Sequence, residues 1–372
     1  MKTTEFAAMY ETPFGSRHRY LFALLVSVFL FSSAFAQAPG EKEEEVDPAT
    51  KDLVAANRFY SSGRFKFAAQ KYEGFLQRYP KHKEVTAARY GLAICQWKLQ
   101  KFDEASKSIV QVLADSKFDR PDEALVVLGH CYMSTNQRDK ALTTFVQLRT
   151  EHPKSQHTPT AALNEIQVLY LLDRKKESAA ASQQFLKSYA AHGNAAAALY
   201  FLALSSHDLN DPAATGDAAK KLLEEHPNSR YQLDATLLLG QSLEAQGKYK
   251  DATAQYRELL RLAPLARQPE ALYSLGVVLY RSAEYKESDK VLSELLSKHK
   301  QSKYAAPALM QLGLTQLANG DTSKARTTLS GVSKNDEQRR TTASYWLSQC
   351  DIAEKRFDTA LKTLSVLAKL NP

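Results

Sequence analysis

Apolar residues return along this chain in paired helical stripes, and the clearest pair lies between Pro121 and Pro153. Leu125, Leu128, Gly129 and Tyr132 fall at i, i+3, i+4 and i+7, the spacing of one helix face. Asn136 and Gln137 interrupt that stripe. Ala141, Phe145 and Leu148 then begin a second one, which His152-Pro153 closes. The pattern predicts two short amphipathic helices packed antiparallel across a tight turn. The small residues Gly129 and Ala141 let the two backbones come close.

The same arrangement fills nearly everything after residue 48. One small residue marks each second helix: Ala68, Ala105, Ala141, Ala179, Thr215, Ala252, Ser288, Ala325 and Ala360, at intervals of 37, 36, 38, 36, 37, 36, 37 and 35. A fixed period of this size predicts a stacked array in which no unit buries its apolar face alone. The units run about 49–85, 86–121, 122–159, 160–195, 196–232, 233–268, 269–305, 306–340 and 341–372. Repeat four departs from the pattern, with Gln167 where Gly or Ala is expected and Gln183 where an aromatic is expected. Repeat five opens its second helix on Asp211-Pro212, a cap followed by a first-turn proline, then carries only small residues at Gly216 and Ala219. Residues 205–220 are therefore expected to be the most thinly packed joint.

These residues resemble the tetratricopeptide repeat. The Leu-Gly pairs at Leu239-Gly240, Leu275-Gly276 and Leu312-Gly313 carry the likeness, together with Tyr249, Ala252, Tyr256 and Pro264. The resemblance spans roughly residues 49–372 and implies an all-α fold, a right-handed superhelical solenoid of about nine helix-turn-helix repeats. Joints such as Tyr79-Pro80-Lys81-His82, His152-Pro153-Lys154-Ser155 and His226-Pro227-Asn228-Ser229 are similar to those of bacterial envelope repeat proteins. Two such families are the lipoprotein D type of the outer-membrane barrel-assembly machinery and the cell-division coordinator linked to Tol-Pal. Both are periplasmic scaffolds without catalysis. This chain differs from them in having no lipid-anchor Cys, no N-terminal coiled coil and more repeats.

The first residues read as targeting sequence. Arg17 and Arg19 precede the apolar run Leu21–Phe31, and Ala34 and Ala36 give the small-x-small pattern of signal peptidase cleavage, expected before Gln37. Residues 1–36 are thus an expected signal peptide, and residues 37–48 an acidic flexible leader. The protein is expected to be exported, periplasmic or secreted. The alternative is an uncleaved inner-membrane anchor over residues 20–36, which would make the chain a membrane-tethered assembly or division factor. The net charge of +8 falls to +7 without residues 1–36, which hold three basic and two acidic residues. That mild excess suits an acidic partner or an envelope surface and does not suggest nucleic acid.

Candidate chemistry reduces to structure. Cys95, Cys131 and Cys350 recur at one repeat position, too far apart for a disulfide, and read as small core residues. His152, His226 and His299 close second helices, where an imidazole can meet terminal carbonyls. No nucleophile, phosphate-loop or metal motif occurs, so no catalytic residue, cofactor or metal is expected and the chain does not read as an enzyme.

The resemblance directs attention to a concave face lined by first helices. Its inward positions map to Tyr60; to Tyr90, Ile94 and Trp97; to His130 and Met133; and to Asn164, Val168 and Leu171. They continue through Tyr200 and His207, Tyr273 and Tyr280, Met310, and Tyr345. The face reads as aromatic and aliphatic, suited to an amphipathic helix or an extended segment of a protein partner. Tyr90, Tyr200, Tyr273 and Tyr345 share one position, so packing between repeats is the competing role. Leu361, Ser365 and Ala368 would face outward in the last repeat, an expected surface for self-association.

Overall fold

The computed structural model describes residues 47–370, so the expected signal peptide and all but the last residues of the expected leader lie outside it. The described residues form two compact units, one through Thr144 and the other from Phe145 onward. Every element among the described residues is a helix. The first unit holds α1 (Pro48–Ser61), α2 (Phe65–Arg78), α3 (Val85–Lys98), α4 (Phe102–Leu113), α5 (Pro121–Ser134) and the first half of α6 (Arg138–Glu151). The second holds the rest of α6, then α7 (Thr158–Leu171), α8 (Lys175–Tyr189), α9 (Ala195–Asp208) and α10 (Pro212–Glu225). It continues through α11 (Gln232–Ala245), α12 (Tyr249–Leu262), α13 (Gln268–Arg281) and α14 (Tyr285–Lys298). The last four are α15 (Ala305–Ala318), α16 (Thr322–Asn335), α17 (Arg340–Ala353) and α18 (Phe357–Leu370).

Each pair turns on one residue in the left-handed region: Gly63, Gln100, Asn136, Asp173, Asn210, Gly247, Ala283, Gly320 and Lys355. Its amide donates three residues back, and the next amide reaches five back, as in Gly247 to Glu244 O (3.0 Å) and Lys248 to Leu243 O (2.9 Å). This is the Schellman arrangement, which satisfies the carbonyls left open at a helix end. Glycine fills it at only three of the nine turns, so composition alone conceals it.

Second helices end differently. The carbonyls of Tyr79, His152, His226 and His299 accept the amide three residues on, at 3.0–3.1 Å. At four joints the residue three past the helix end also accepts, through its side chain, the amide two further on; Ser229 does not, its Oγ being buried without a partner. Ser155 Oγ takes His157 N at 3.0 Å, His192 Nδ1 takes Asn194 N at 3.1 Å, and Ser302 Oγ takes Tyr304 N at 3.2 Å. These short side-chain turns start the following helix. The expected role of the helix-end histidines is corrected. Nε2 of His226 and of His299 is buried without a hydrogen-bond partner. At the equivalent positions Tyr79 and Tyr189 pack on Phe75 and Phe185, with ring centroids 5.4 and 5.2 Å apart. What this position shares is a ring that fills space; the capping is done by main chain.

The turns also correct the phase of repeat four. Counting five residues from Asp173 gives Ser178, not Ala179, as the small residue of α8. Ser178 is fully buried and donates to Ile166 O at 3.1 Å, as Ser288 donates to Gly276 O at 2.8 Å. The large-small pairing is inverted there. Elsewhere a glycine on the first helix faces a large side chain sixteen positions on: Gly240 and Tyr256, Gly276 and Leu292, Gly313 and Leu329. Repeat four has Ile166 and Ser182 at those two places, both buried, so total volume is kept.

Residues 205–220 are not loosely packed. Asp211 caps α10 through the amide of Ala214 at 3.0 Å, and Thr215, Ala218, Ala219 and Leu222 are buried. A β-carbon on Gly216 would lie 2.5 Å from Ser242 Oγ, and Ser242 Oγ itself donates to Pro212 O at 2.6 Å. Small side chains have drawn the helices together rather than left a void.

The core follows this pairing. In the first unit Tyr72, Phe75 and Cys95 belong to one buried cluster, while Ile109, Leu128 and Cys131 belong to the next. In the second unit Tyr256, Leu275 and Leu292 form one cluster, and Leu329, Val332 and Cys350 another. All three cysteines are free and buried, and burial raises the Cys95 and Cys131 thiols to about 12. They remain protonated and unreactive.

A candidate binding face on the first helices

Measured back from each left-handed turn residue, the first helices present three rows of side chains. The row ten residues back contains Tyr90, Tyr200, Tyr273, Met310 and Tyr345. Four of the candidate residues are buried: Tyr90, Tyr200 and Met310 from this row and His130 from the next. Rings near the start of the following first helix cover the tyrosines. Tyr200 stacks on Tyr231 at 4.7 Å and 16°, Tyr90 meets Phe118 at 5.1 Å, and Tyr273 meets Tyr304 at 5.6 Å. Arg120 lies over the Tyr90 ring at 4.7 Å, and the Tyr90 hydroxyl donates to Glu123 at 3.2 Å. These residues tie neighbouring pairs together, which removes Tyr90, Tyr200, His130 and Met310 from the anchors a partner could reach. Burial lowers the His130 imidazole to about 4, so it is held neutral. Tyr273 is half-buried, Ile94 in the second row likewise, and Tyr345 is 44% exposed.

The row three residues back is reachable throughout. In the first unit it is Tyr60, Trp97 and Met133, all half-buried. Tyr60 meets Phe65 edge-on at 5.7 Å, and Lys98 Nζ sits 4.7 Å from the Trp97 ring. This stretch has the expected aromatic and aliphatic character.

In the second unit the same row reads Tyr170, His207, Glu244, Tyr280, Leu317 and Ile352. Tyr170 takes the place expected of Leu171, and Leu163 and Gln167 those expected of Asn164 and Val168, because of the one-residue phase shift. Here the face is mixed: Leu317 and Ile352 keep it apolar toward the end, while Tyr170, His207 and Glu244 make it polar before that. The Tyr170 hydroxyl donates to Asp208 Oδ2 at 2.7 Å, and Lys175 Nζ lies 3.2 Å from the Tyr170 ring centroid and 3.5 Å from Asp208. Glu244 pairs with Arg281 at 3.1 Å and accepts the Tyr256 hydroxyl at 2.8 Å. Burial and the neighbouring carboxylates raise the Tyr170 and Tyr256 phenols, which stay protonated donors. His207 is exposed, and Tyr280 packs against Tyr285 at 5.7 Å. The expected apolar groove is therefore corrected to an aromatic and aliphatic row in one unit and, in the other, a row in which Tyr170 and Glu244 bring hydrogen bonds and paired charge beside apolar Leu317 and Ile352.

The arrangement offers stacking, hydrogen bonds and fixed charges. Among the described residues no cluster of three or more His, Cys, Asp or Glu could hold a metal ion, and no helix is long and apolar enough to cross a membrane.

Known proteins are similar to parts of this chain. A tetratricopeptide-repeat family model matches residues 53–117, and a tetratricopeptide repeat-like domain model matches residues 264–369. Between them, an outer membrane lipoprotein family model matches residues 119–258. The chain is 26% identical over 184 residues to the outer membrane protein assembly factor BamD of Neisseria gonorrhoeae, covering 45% of this chain and 68% of the relative. It is 26% identical over 204 residues to BamD of Neisseria meningitidis serogroup A, covering 50% and 71%. Among solved structures, the C-terminal part of a repeat-containing protein from Cytophaga hutchinsonii superposes with a TM-score of 0.56 at 14% identity. That likeness covers 69% of this chain and 99% of the other, and speaks to fold alone.

Proposed function

We infer that this tetratricopeptide-repeat protein is a non-catalytic scaffold of the bacterial cell envelope, holding segments of partner proteins on its first-helix face. The observation that carries this reading is the row at Tyr60, Trp97 and Met133 in the first unit, with His207 and Tyr280 at the same repeat position in the second, which stays half-buried or exposed where Tyr90, Tyr200, His130 and Met310 of the rows beside it are buried. Aromatic side chains that keep an accessible edge are the usual anchors of protein recognition. The likeness to outer membrane assembly factors over residues 119–258 supports an envelope setting. The apolar stripe at Trp97 suits an amphipathic or extended segment, while Glu244 and Asp208 bring hydrogen-bond selectivity.

Site-specific photocrosslinking in living cells tests it. A photoreactive side chain at position 60, 133, 207 or 280 should capture a discrete protein, and one at Lys107 on the second helix of repeat two should not. Equal capture from both faces would overturn the reading. N-terminal sequencing of the mature protein separates a released form beginning at Gln37 from one tethered by residues 20–36.

A further inference from the structure

The joint between α12 and α13 breaks the chain's own rule. At the third place of the equivalent joints stand Lys81, Lys154, Ala191, Asn228 and Gln301, polar or small; here it is Leu265. Leu265 is 73% exposed, more than any other large apolar side chain among the described residues. It packs no core, and Ala263 has replaced the usual ring. A local rule broken with no gain in packing points to use rather than stability. The next joint, between α14 and α15, is basic, with Lys298, His299, Lys300 and Lys303 and no acidic residue from 297 to 303.

These two joints share a recess of about 650 Å³. Leu265, Ala266 and Pro269 line one side, while Lys298, Lys300 and Ser302 belong to the other. No carboxylate lines it. Lys298 pairs with Glu294 at 2.8 Å yet remains 65% exposed; Lys300 is exposed as well.

We propose that this rim recess is a docking site for an acidic segment of a protein partner that carries an apolar side chain beside its carboxylates. The apolar residue covers Leu265 and Ala266, and the carboxylates face Lys298 and Lys300. Charge complementarity names the acidic class, and the exposed pair Leu265 and Ala266, set in the same recess as the lysines, names the apolar neighbour. The site does not involve the first-helix face, so it stands or falls independently of the function proposed above.

An array of short synthetic peptides of randomised sequence, probed with the labelled protein, tests it. Bound peptides should be enriched in Asp or Glu next to Leu, Ile or Phe. The strongest of them, measured by fluorescence anisotropy, should bind about tenfold more weakly to Leu265→Asn. The pair Lys298→Gln and Lys300→Gln should lose about tenfold at low salt, and less at high salt. Both variants alter exposed side chains, and unchanged melting curves check that they fold. Absence of acidic enrichment, or affinity unmoved by either variant, overturns the proposal. Stronger variant-sensitive binding to phosphatidylglycerol vesicles than to any peptide also overturns it, assigning the recess to lipid. Loss of peptide binding in Tyr280→Ala alone would place the peptide on the first-helix face and overturn this site, leaving the earlier reading intact.

Discussion

Gly240 faces the ring of Tyr256 so closely that a β-carbon built on it would lie 2.5 Å from Cε1. The ring cannot swing away, because it is buried and its hydroxyl is tied to Glu244. Gly240→Ala should therefore destabilise the protein by roughly 1–3 kcal/mol, the usual cost of overpacking. Gly331 lies in α16 with nothing within 4 Å of its would-be β-carbon. Gly331→Ala should instead stabilise by about 0.5–1 kcal/mol, from helix propensity alone. Urea unfolding of both variants checks the contrast, and equal effects would contradict it.

Ala283 holds a left-handed conformation (φ 62°) at the place where Gly63, Gly247 and Gly320 turn other pairs. An L side chain there costs roughly 1–2 kcal/mol, part of which the greater freedom of unfolded glycine offsets. Ala283→Gly should raise stability by roughly 0.5–1 kcal/mol, and Gly247→Ala should lower it by a similar amount. Thermal melting reads both.

The inverted pair in repeat four makes a stricter demand. Ile166→Gly alone should open a cavity worth roughly 3–5 kcal/mol, and Ser182→Leu alone should overfill the site by roughly 1–3 kcal/mol. Together they restore the order seen at Gly276 and Leu292, so the double variant should be more stable than the sum of the two losses. Additive losses in a double-mutant cycle would show that the two positions do not share volume.

His130 supplies a pH dependence. Its folded value, lowered by burial to about 4, lies below the ordinary value of about 6.5. The unfolded chain thus binds a proton that the folded chain refuses. The stabilisation is complete above about pH 6.5 and is lost as pH falls from there toward about 4. His130→Gln removes that titration. The stability difference between wild type and variant should shift against the wild type by up to roughly 3 kcal/mol across this window. A difference constant with pH would mean that the folded imidazole titrates normally.

Much of this architecture could be read from the residues, since a small side chain every 35–38 positions already dictates paired helices. The phase of repeat four was not legible for a physical reason. Ser178, Ala179, Ala180, Ala181 and Ser182 are all small, so size does not single out which one faces the first helix. Only the turn at Asp173 fixes the phase, and it contains no glycine to announce itself. The candidate face was legible as a set of positions but not as a surface. Tyr200 and Tyr280 look alike in sequence; one is covered by Tyr231 from the next pair, and the other keeps an open edge. Leu265 was missed because an exposed leucine stands out only when its joint is compared with the others.

The connection inside every pair is always three residues long, from 62–64 between α1 and α2 to 354–356 between α17 and α18, whereas joints between pairs run from four residues (336–339) to seven (114–120). A clamp made of main-chain amides and carbonyls tolerates many side chains there, glycine at the least cost, but no change of length, because one added residue would turn the second helix by about 100° about its axis. Insertions and losses are therefore expected to be tolerated at the seams and not within a pair. A gene built this way can lengthen or shorten by whole hairpins, each cut leaving ends that still match, so its history is best written in units of a pair that begins and ends at a seam.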